Sequence, residues 1–317
     1  MLTSSKVQEL LLSFNQKRIL VIGDVILDRF VYGAVSRYSP EYSTCPILNF
    51  TNEITMLGGA ANVAANLKGL GAKEVALLGI VGYDANGEHV QELLNSLKVK
   101  SALHRSPYPT ITKTRFVHGS RHLLRFDVES SLAFHDLFYR DLESFSYVDG
   151  IIIQDYAKGA FCGSTVHAIM QFARGHNIPV FVDPKKEHWH KFQGAALVKP
   201  NFKEAQTALG RASEVSLGVM AKDIRSLTGA KMAIVTAGSR GMFLSPAAAD
   251  IWALPNRVEV VDVSGAGDTA ISVLSLAFLS GASKVEALSL ANLASGIVIE
   301  KNGTAVVTAE ELIARIK

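Results

Sequence analysis

Asp262-Val-Ser-Gly-Ala-Gly-Asp268 lies between a β-branched run (Val258, Val260, Val261) and a small-residue helical pattern that extends from Thr269 to about Ser280. The spacing predicts strand, glycine turn, helix. The first backbone N–H groups of a helix lack intrahelical partners and sit at the positive end of its dipole, so such a turn suits an anion. Gly265 and Gly267 let the amides of residues 265–267, Ala266 included, approach that anion without a bulky side chain in the way. Asp268 falls in the first turn. Two readings fit it: an acid that complements the helix dipole, or a base that takes a proton from a hydroxyl attacking a phosphate. The stretch Gly265-Ala-Gly267-Asp-Thr-Ala270 also matches the dinucleotide pattern G-x-G-x-x-G/A. That pattern needs a following strand and an acid about 20 residues on. The run from Lys284 to Glu300 reads as helix instead, which favours the phosphate turn.

The 317 residues suffice for one large α/β domain or two modest ones. Hydrophobic residues make up 48% and charged residues 19%, which provides a large core and excludes extensive disorder. A net charge of +3 argues against a nucleic-acid binder, which carries a clustered basic face. Two cysteines, Cys45 and Cys162, do not make a disulfide framework, and a reducing cytoplasm is the expected compartment. The N-terminus has no long apolar signal region, and the most apolar helix, around Ile271–Leu279, is too short for a bilayer; no membrane partner is expected. His188 and His190 flank Trp189 without cysteine or carboxylate at metal-binding spacing and read as surface or packing residues.

Strand-like and helical patterns alternate along most of the chain. Strands are expected at Arg18–Gly23, Val75–Val81, Gly150–Gln154, Val180–Asp183, Ala196–Lys199, Ala233–Thr236 and Val258–Val261. Helices are expected near Ala60–Leu70, Gly87–Leu97, Ser164–Gly175, Phe202–Leu209 and Met220–Leu227. This alternation predicts an α/β fold with a mostly parallel central sheet covered on both faces. Ligands bind such sheets at the carboxyl ends of strands. Asp24, Asp155, Asp183, Asn201 and Gly238 fall at or just after such ends. Two segments, about 30–50 and 112–127, alternate like strands with no helix attached, and Gly119–Ser120 reads as a hairpin turn. They predict a small β lid on one side of a single domain spanning 1–317. Such a lid could close over a site, and its exposed face could be a dimer interface.

A second glycine-rich stretch runs from Gly58 to Gly71, Gly-Gly-Ala-Ala-Asn-Val-Ala-Ala-Asn-Leu-Lys-Gly-Leu-Gly. Its Asn62 can bond a sugar hydroxyl or simply cap and pack the turn. Asp24 can likewise be a ligand or a turn aspartate. No Walker A pattern occurs, which excludes a P-loop kinase. Together, Gly58–Gly71 and Asp262–Asp268, in this order and about 200 residues apart, resemble the two signatures of the PfkB, or ribokinase-like, carbohydrate kinases. The resemblance covers nearly the whole chain and implies a three-layer α/β/α domain with a β lid. Asn201-Phe-Lys-Glu204 resembles the family's N-x-x-E, associated with Mg²⁺ and phosphate. Thr236-Ala-Gly238-Ser-Arg-Gly241 resembles its nucleotide-binding T-x-G-x-x-G. Asn292, Asn302 and Gly303 fall where the family builds its adenine pocket.

Within the family, five motifs resemble the heptose 7-phosphate kinase branch: Gly23-Asp-Val-Ile-Leu-Asp-Arg29, Ser39-Pro-Glu41, Lys113-Thr-Arg115, Asp155-Tyr-Ala-Lys-Gly159 and Asp183-Pro-Lys185. That branch phosphorylates O1 of D-glycero-β-D-manno-heptose 7-phosphate on the route to ADP-heptose and lipopolysaccharide. Many members continue into a nucleotidyltransferase domain; with its end at Lys317, this chain is expected to be the stand-alone kinase. The resemblance implies ATP as phosphoryl donor and Mg²⁺ held largely through water, oriented by Glu204 and Asn201. It implies Asp268 as base, the amides of Gly265–Gly267 on the moving phosphoryl group, and Asp24, Gly58, Gly59, Asn62 and Asp155 around the sugar. A sugar phosphate needs cations, for which Lys113, Arg115, Lys158 and Lys185 are candidates. Potassium beside the Asp262 loop and a lid-mediated homodimer are features of relatives. Ser264 stands where threonine is usual, a mild change, and Tyr42-Ser-Thr-Cys45 replaces a usually apolar lid stretch, which bears on the substrate. The rival readings are a kinase for another sugar, sugar phosphate or nucleoside, and a non-catalytic binding protein.

Overall fold

The computed structural model describes residues 2–316 apart from 120, 130–137, 162–163, 186–188, 211–214, 246–250 and 254–257. Ser120, Cys162 and His188, singled out above, lie outside the described residues. In chain order the elements are α1 (Ser4–Phe14), β1 (Arg18–Gly23), β2 (Val25–Tyr38), β3 (Pro46–Gly59), α2 (Ala60–Gly69), β4 (Glu74–Gly82), α3 (Ala85–Ser96), β5 (Lys100–Ser106), β6 (Thr112–His118), β7 (Arg121–Val128), α4 (Phe138–Glu143), β8 (Gly150–Gln154), α5 (Thr165–Gly175), β9 (Val180–Asp183), β10 (Leu197–Val198), α6 (Phe202–Ala208), α7 (Leu217–Thr228), β11 (Ala233–Thr236), β12 (Met242–Ser245), β13 (Ile251–Ala253), α8 (Ala266–Leu279), α9 (Lys284–Ile299) and α10 (Ala309–Arg315).

The central sheet has the order β13-β12-β11-β10-β9-β8-β1-β4-β5. It is parallel from β5 to β11, with β12 and β13 antiparallel at one edge. Its strands read as apolar runs because both faces are covered. In β1, Ile19 and Val21 join a core shared with α1, α2, α3, α8, α9 and α10, while Leu20 and Ile22 join a core shared with α4, α5, α6 and α7. Each fully buried Val, Leu or Ile contributes about 1.5–3 kcal/mol, so two such cores fix three layers.

The lid is a separate sheet of order β3-β2-β6-β7, parallel only between β2 and β6. It is longer than the sequence suggested, beginning at Val25 and ending at Gly59. Only Asp24 separates β1 from β2, and β3 runs directly into α2. Register places Asp28, Phe30, Lys113, Arg115 and Arg125 on one face and Phe116, Leu124 and Phe126 on the other. Tyr42–Cys45 forms the turn between β2 and β3, about 40 Å of strand from Asp24. It lies at the far end of the two longest lid strands from Asp24.

One expected strand is absent. Residues 258–261 are irregular, with Val260 and Val261 more than half exposed. Alternating valines suited a strand, but the backbone N–H groups of Val261 and Asp262 instead bond Ile299 O, at 2.8 and 3.1 Å, at the end of α9. The edge position belongs to β13. The following helix starts at Ala266, three residues before the expected Thr269.

Candidate active site

The parallel strands deliver polar side chains to one edge. Gln154 ends β8, Asp183 ends β9 and Lys199 follows β10, and the three strands are neighbours. Gln154 Nε2 donates to Asp183 Oδ2 at 3.3 Å and to Asp268 Oδ1 at 3.0 Å. Lys199 Nζ lies 2.9 Å from Asp183 Oδ2, and both side chains are nearly enclosed. Gln154 and Lys199 were not singled out from the sequence; Asp183 was named for its place at a strand end and in a branch motif, and Tyr156 only as part of the Asp155–Gly159 motif, neither with a role. The available signal was a polar residue closing an apolar strand run.

Asp268 sits in the first turn of α8, 2% exposed. Asn62 Nδ2 donates to its Oδ2 at 2.8 Å, and Tyr156 OH donates to its Oδ1 at 3.0 Å. Burial pushes its pKa up to about 7; the Asn62 hydrogen bond opposes this, Asp183 adds to it, and Tyr156 and Lys199 oppose it. A carboxylate that titrates there is a competent general base near neutrality. Asn62 is fully buried, so its amide orients Asp268 rather than standing free for a sugar hydroxyl. Asn66 Nδ2 holds Asn62 Oδ1 at 3.1 Å, and Asn66 Oδ1 accepts from Thr269 Oγ1 and the Val307 N–H.

Asp24 is buried and bonded to the chain itself. Its carboxylate accepts the backbone N–H groups of Tyr156 (2.7 Å), Lys158 (3.2 Å) and Ala160 (3.1 Å). It is the anchor of the loop after β8. Burial raises its pKa to about 6 against those three bonds. Asp155 Oδ1 accepts the Ala157 N–H within the same loop. Gly58 gives close approach: a Cβ there would overlap the Asp28 carboxylate, which pairs with Arg115 at 2.6 Å in a buried contact. Gly59, at φ 57°, turns β3 into α2.

The four candidate cations separate. Arg115 is engaged by Asp28, Lys158 by Glu129 at 2.6 Å, and Lys185 by Glu204. Burial works against the Lys185 charge, but Glu204 keeps its pKa above the ordinary value. Lys113 has no ion-pair partner among the described residues. Its Nζ lies 4.9 Å from the centre of the Tyr156 ring, and burial lowers its pKa.

Asn201 and Glu204 form the capping box of α6: Asn201 Oδ1 accepts from Glu204 N, and Glu204 Oε2 accepts from Asn201 N. Among the described residues no group of three or more His, Cys, Asp or Glu side chains could hold a metal ion. Such a donor set suits a Mg²⁺ ion held mainly through water and phosphate oxygens, and Glu204 and Asn201 are the residues that would orient those waters.

The polar end of the cleft, about 250 Å³, is lined by Asp155, Tyr156, Asp183, Lys185, Lys199, Asn201, Glu204, Gly265 and Asp268, among others. It shares Thr236, Val263 and Gly267 with a larger, mostly apolar cavity of about 730 Å³. That cavity carries Gly238, Gly241, Met242, Val258, Val260, Ala266, Asn292 and Ile299. This mostly apolar cavity leads to the N-terminus of α8, where unpaired backbone N–H groups suit an anion. Asn302 and Gly303 do not line it. Gly303 instead lies against Phe30 and Met56 at the base of the lid, and its N–H donates to Asp262 Oδ2. Among the described residues no helix is long and apolar enough to cross a membrane.

Comparison with known proteins shows the family and the fold. The model of the pfkB family carbohydrate kinases matches residues 16–311. The chain is 38% identical over 305 residues to the bifunctional protein HldE of Coxiella burnetii (strain Dugway 5J108-111), covering 94% of the chain and 63% of the relative. It is 40% identical over 313 residues to HldE of Caulobacter vibrioides, covering 95% and 64%. The chain thus spans less than two-thirds of these curated relatives. Phosphofructokinase-2 from Escherichia coli in complex with potassium superposes with a TM-score of 0.79 at 22% identity, covering 95% of this chain and 98% of that one. Arabidopsis thaliana ribokinase with ribose and ATP gives 0.76 at 19%, covering 95% and 99%.

Proposed function

Because the chain belongs to the pfkB family of carbohydrate kinases, we propose that it transfers the γ-phosphoryl group of ATP to O1 of D-glycero-β-D-manno-heptose 7-phosphate. The product would be the 1,7-bisphosphate, a step toward ADP-heptose and lipopolysaccharide in the cytoplasm. The observation that carries a kinase reading is Asp268: a buried carboxylate titrating at about 7, at a helix N-terminus where an apolar and a polar cavity meet. The heptose reading is supported by the five branch motifs and by 38–40% identity to HldE across the chain.

In this reading Asp268 takes the proton of the anomeric hydroxyl as O1 bonds to the γ-phosphorus. The bond from that phosphorus to the β–γ bridging oxygen breaks, and ADP leaves. The amides of residues 265–267 face the moving phosphoryl charge. Asn62 and Gln154 hold the base in place, and Lys199 adds positive charge beside it. Mg²⁺, when bound, would offset charge on the nucleotide phosphates. Lys113 is the cation best disposed for the acceptor's own phosphate, since it is half-buried without a carboxylate partner among the described residues. The Asp262 carboxylate, which accepts the Ser264 and Gly303 N–H groups, would order a loop beside a potassium ion. The outer lid face, with Leu124 60% and Phe126 56% exposed, supports a homodimer through the lid.

Coupled ADP release with Mg-ATP tests this reading against heptose 7-phosphate, the unphosphorylated heptose, fructose 6-phosphate, ribose and adenosine. Turnover with heptose 7-phosphate alone is expected. Turnover with fructose 6-phosphate would keep the kinase chemistry and reassign the acceptor. Silence on the whole panel with ATP binding intact would favour a binding protein.

A further inference from the structure

Tyr156 belongs to the loop anchored by Asp24 and is the only aromatic among the described residues lining the polar end of the cleft. Three attachments converge on it. Its N–H donates to Asp24 Oδ2 at 2.7 Å. Its hydroxyl donates to Asp268 Oδ1 at 3.0 Å. Its ring faces two ammonium groups, Lys113 Nζ at 4.9 Å and Lys185 Nζ at 5.4 Å from the centroid. Lys113 comes from lid strand β6, and Lys185 follows core strand β9.

Each carboxylate oxygen accepts about two hydrogen bonds. Among the described residues Asp268 Oδ1 already accepts two, from Tyr156 OH and Gln154 Nε2, whereas Oδ2 accepts one, from Asn62. Resting on the kinase reading above, we propose that Tyr156 is the positioning residue that joins the lid to the base. Its hydroxyl fills Oδ1, leaving Oδ2 to receive the acceptor's proton, and its ring holds the Lys113 ammonium over the cleft for the acceptor's phosphate.

The charged groups around this contact are consistent with both halves. Asp183 and Lys199 flank Asp268. Asp183, Asp268 and Asp28 surround the phenol and, with burial, push its pKa well above the ordinary value, so it stays a donor. Asp28, Asp127, Arg115 and Arg125 surround Lys113. An ammonium over an aromatic ring is favoured most where water is excluded.

Two variants separate the halves. Tyr156→Phe keeps the ring and removes the hydroxyl. Expected are an acceptor KM within about twofold of wild type, a kcat lowered roughly tenfold, and an acid limb of kcat/KM moved up by about half to one pH unit, since one donor to the ionised carboxylate is lost. Tyr156→Leu also removes the ring and is expected to raise the acceptor KM by a further factor of roughly ten, with the KM for ATP unchanged. An unmoved acid limb in Tyr156→Phe, or equal acceptor KM values for the Phe and Leu variants, would overturn the proposal. Titration of the Asp268 carboxyl by ¹³C NMR needs no turnover. An upward shift in Tyr156→Phe supports the contact even if no acceptor on the panel is phosphorylated, and an unchanged titration overturns it.

Discussion

Two glycine pairs start two helices that touch each other, Gly58–Gly59 before α2 and Gly265–Gly267 into α8, and they solve opposite problems. At the first, the missing side chain admits protein. A Cβ on Gly58 would overlap the Asp28 carboxylate, and the first amide of α2, on Ala60, already bonds Asp24 O at 2.9 Å. At the second, Gly265, at φ 80°, also lies against protein, since a Cβ there would meet Asn62 Nδ2 at 2.9 Å, but at Gly267 the missing side chain leaves room. A Cβ on Gly267 would find nothing nearer than Lys199 Nζ at 3.7 Å and Asp183 Oδ2 at 3.8 Å. One turn is filled by the chain's own carboxylate, and the other faces an open polar cavity. Glycine spacing alone does not distinguish them; what an added carbon would meet does.

The strongest way to break this contrast is at the base beside the open turn. Asp268→Asn is expected to lower kcat by ~10²–10⁴-fold with ATP binding retained, measured by steady-state kinetics and nucleotide titration. A near-wild-type rate would remove Asp268 from the chemistry. Gly267→Ala should separate activity from stability. The methyl group fits the apo protein and improves helix propensity by about 0.5–1 kcal/mol, so Tm holds or rises. It would project toward the moving phosphoryl group, and kcat should fall by roughly 10²-fold.

The closed turn should behave in reverse. Gly58→Ala forces the Asp28–Arg115 pair to move and is expected to cost about 1–3 kcal/mol, seen as a Tm lowered by several degrees. If Gly58→Ala left Tm unchanged and Gly267→Ala lowered it, the assignment of the two turns would be inverted. The pH profile sharpens the same contrast. Asp268 must be ionised to accept a proton, and its pKa is raised to about 7. Activity should therefore be full above neutrality and fall toward tenfold per unit as pH drops below about 7, in kcat/KM measured with saturating ATP. The smallest effect is expected from Ser264→Thr, which keeps the hydroxyl beside the open turn and should change kcat by less than about twofold.

The sequence made the layers legible because buried parallel strands are short apolar runs. Arg18–Gly23, Gly150–Gln154, Val180–Asp183 and Ala233–Thr236 are the observed strands to the residue. Val258–Val261 carried the same signal and failed, since the N–H groups of Val261 and Asp262 bond the end of α9 rather than a neighbouring strand. Placement at strand ends was legible too, as Asp24 and Asp155 illustrate. Their hydrogen bonds were not. Asp24 caps a loop more than 130 positions away, and Asn62 meets Asp268 across 206 positions. Such partners are set by tertiary packing and leave no local pattern. The cations show the same limit: Lys113, Arg115, Lys158 and Lys185 are one residue class in sequence, and only the structure distinguishes Lys113, near Asp28 and Asp127 but without an ion-pair partner among the described residues.

The attachment of the lid has a mechanical consequence. On β2 and β3 the four-stranded sheet joins the core at two adjoining points, Asp24 and Gly59, tied together by the bond from Ala60 N to Asp24 O, while β6 joins it through residues 107–111. There is no slack linker on β2 or β3. A panel mounted this way would move, on β2 and β3, by turning a few backbone dihedrals while their ladder stays intact, with no slack loop to order on those two strands. The pivot residue also grips the 156–160 loop through its carboxylate, so the axle of the panel and the mount of the tyrosine that touches the base are one side chain.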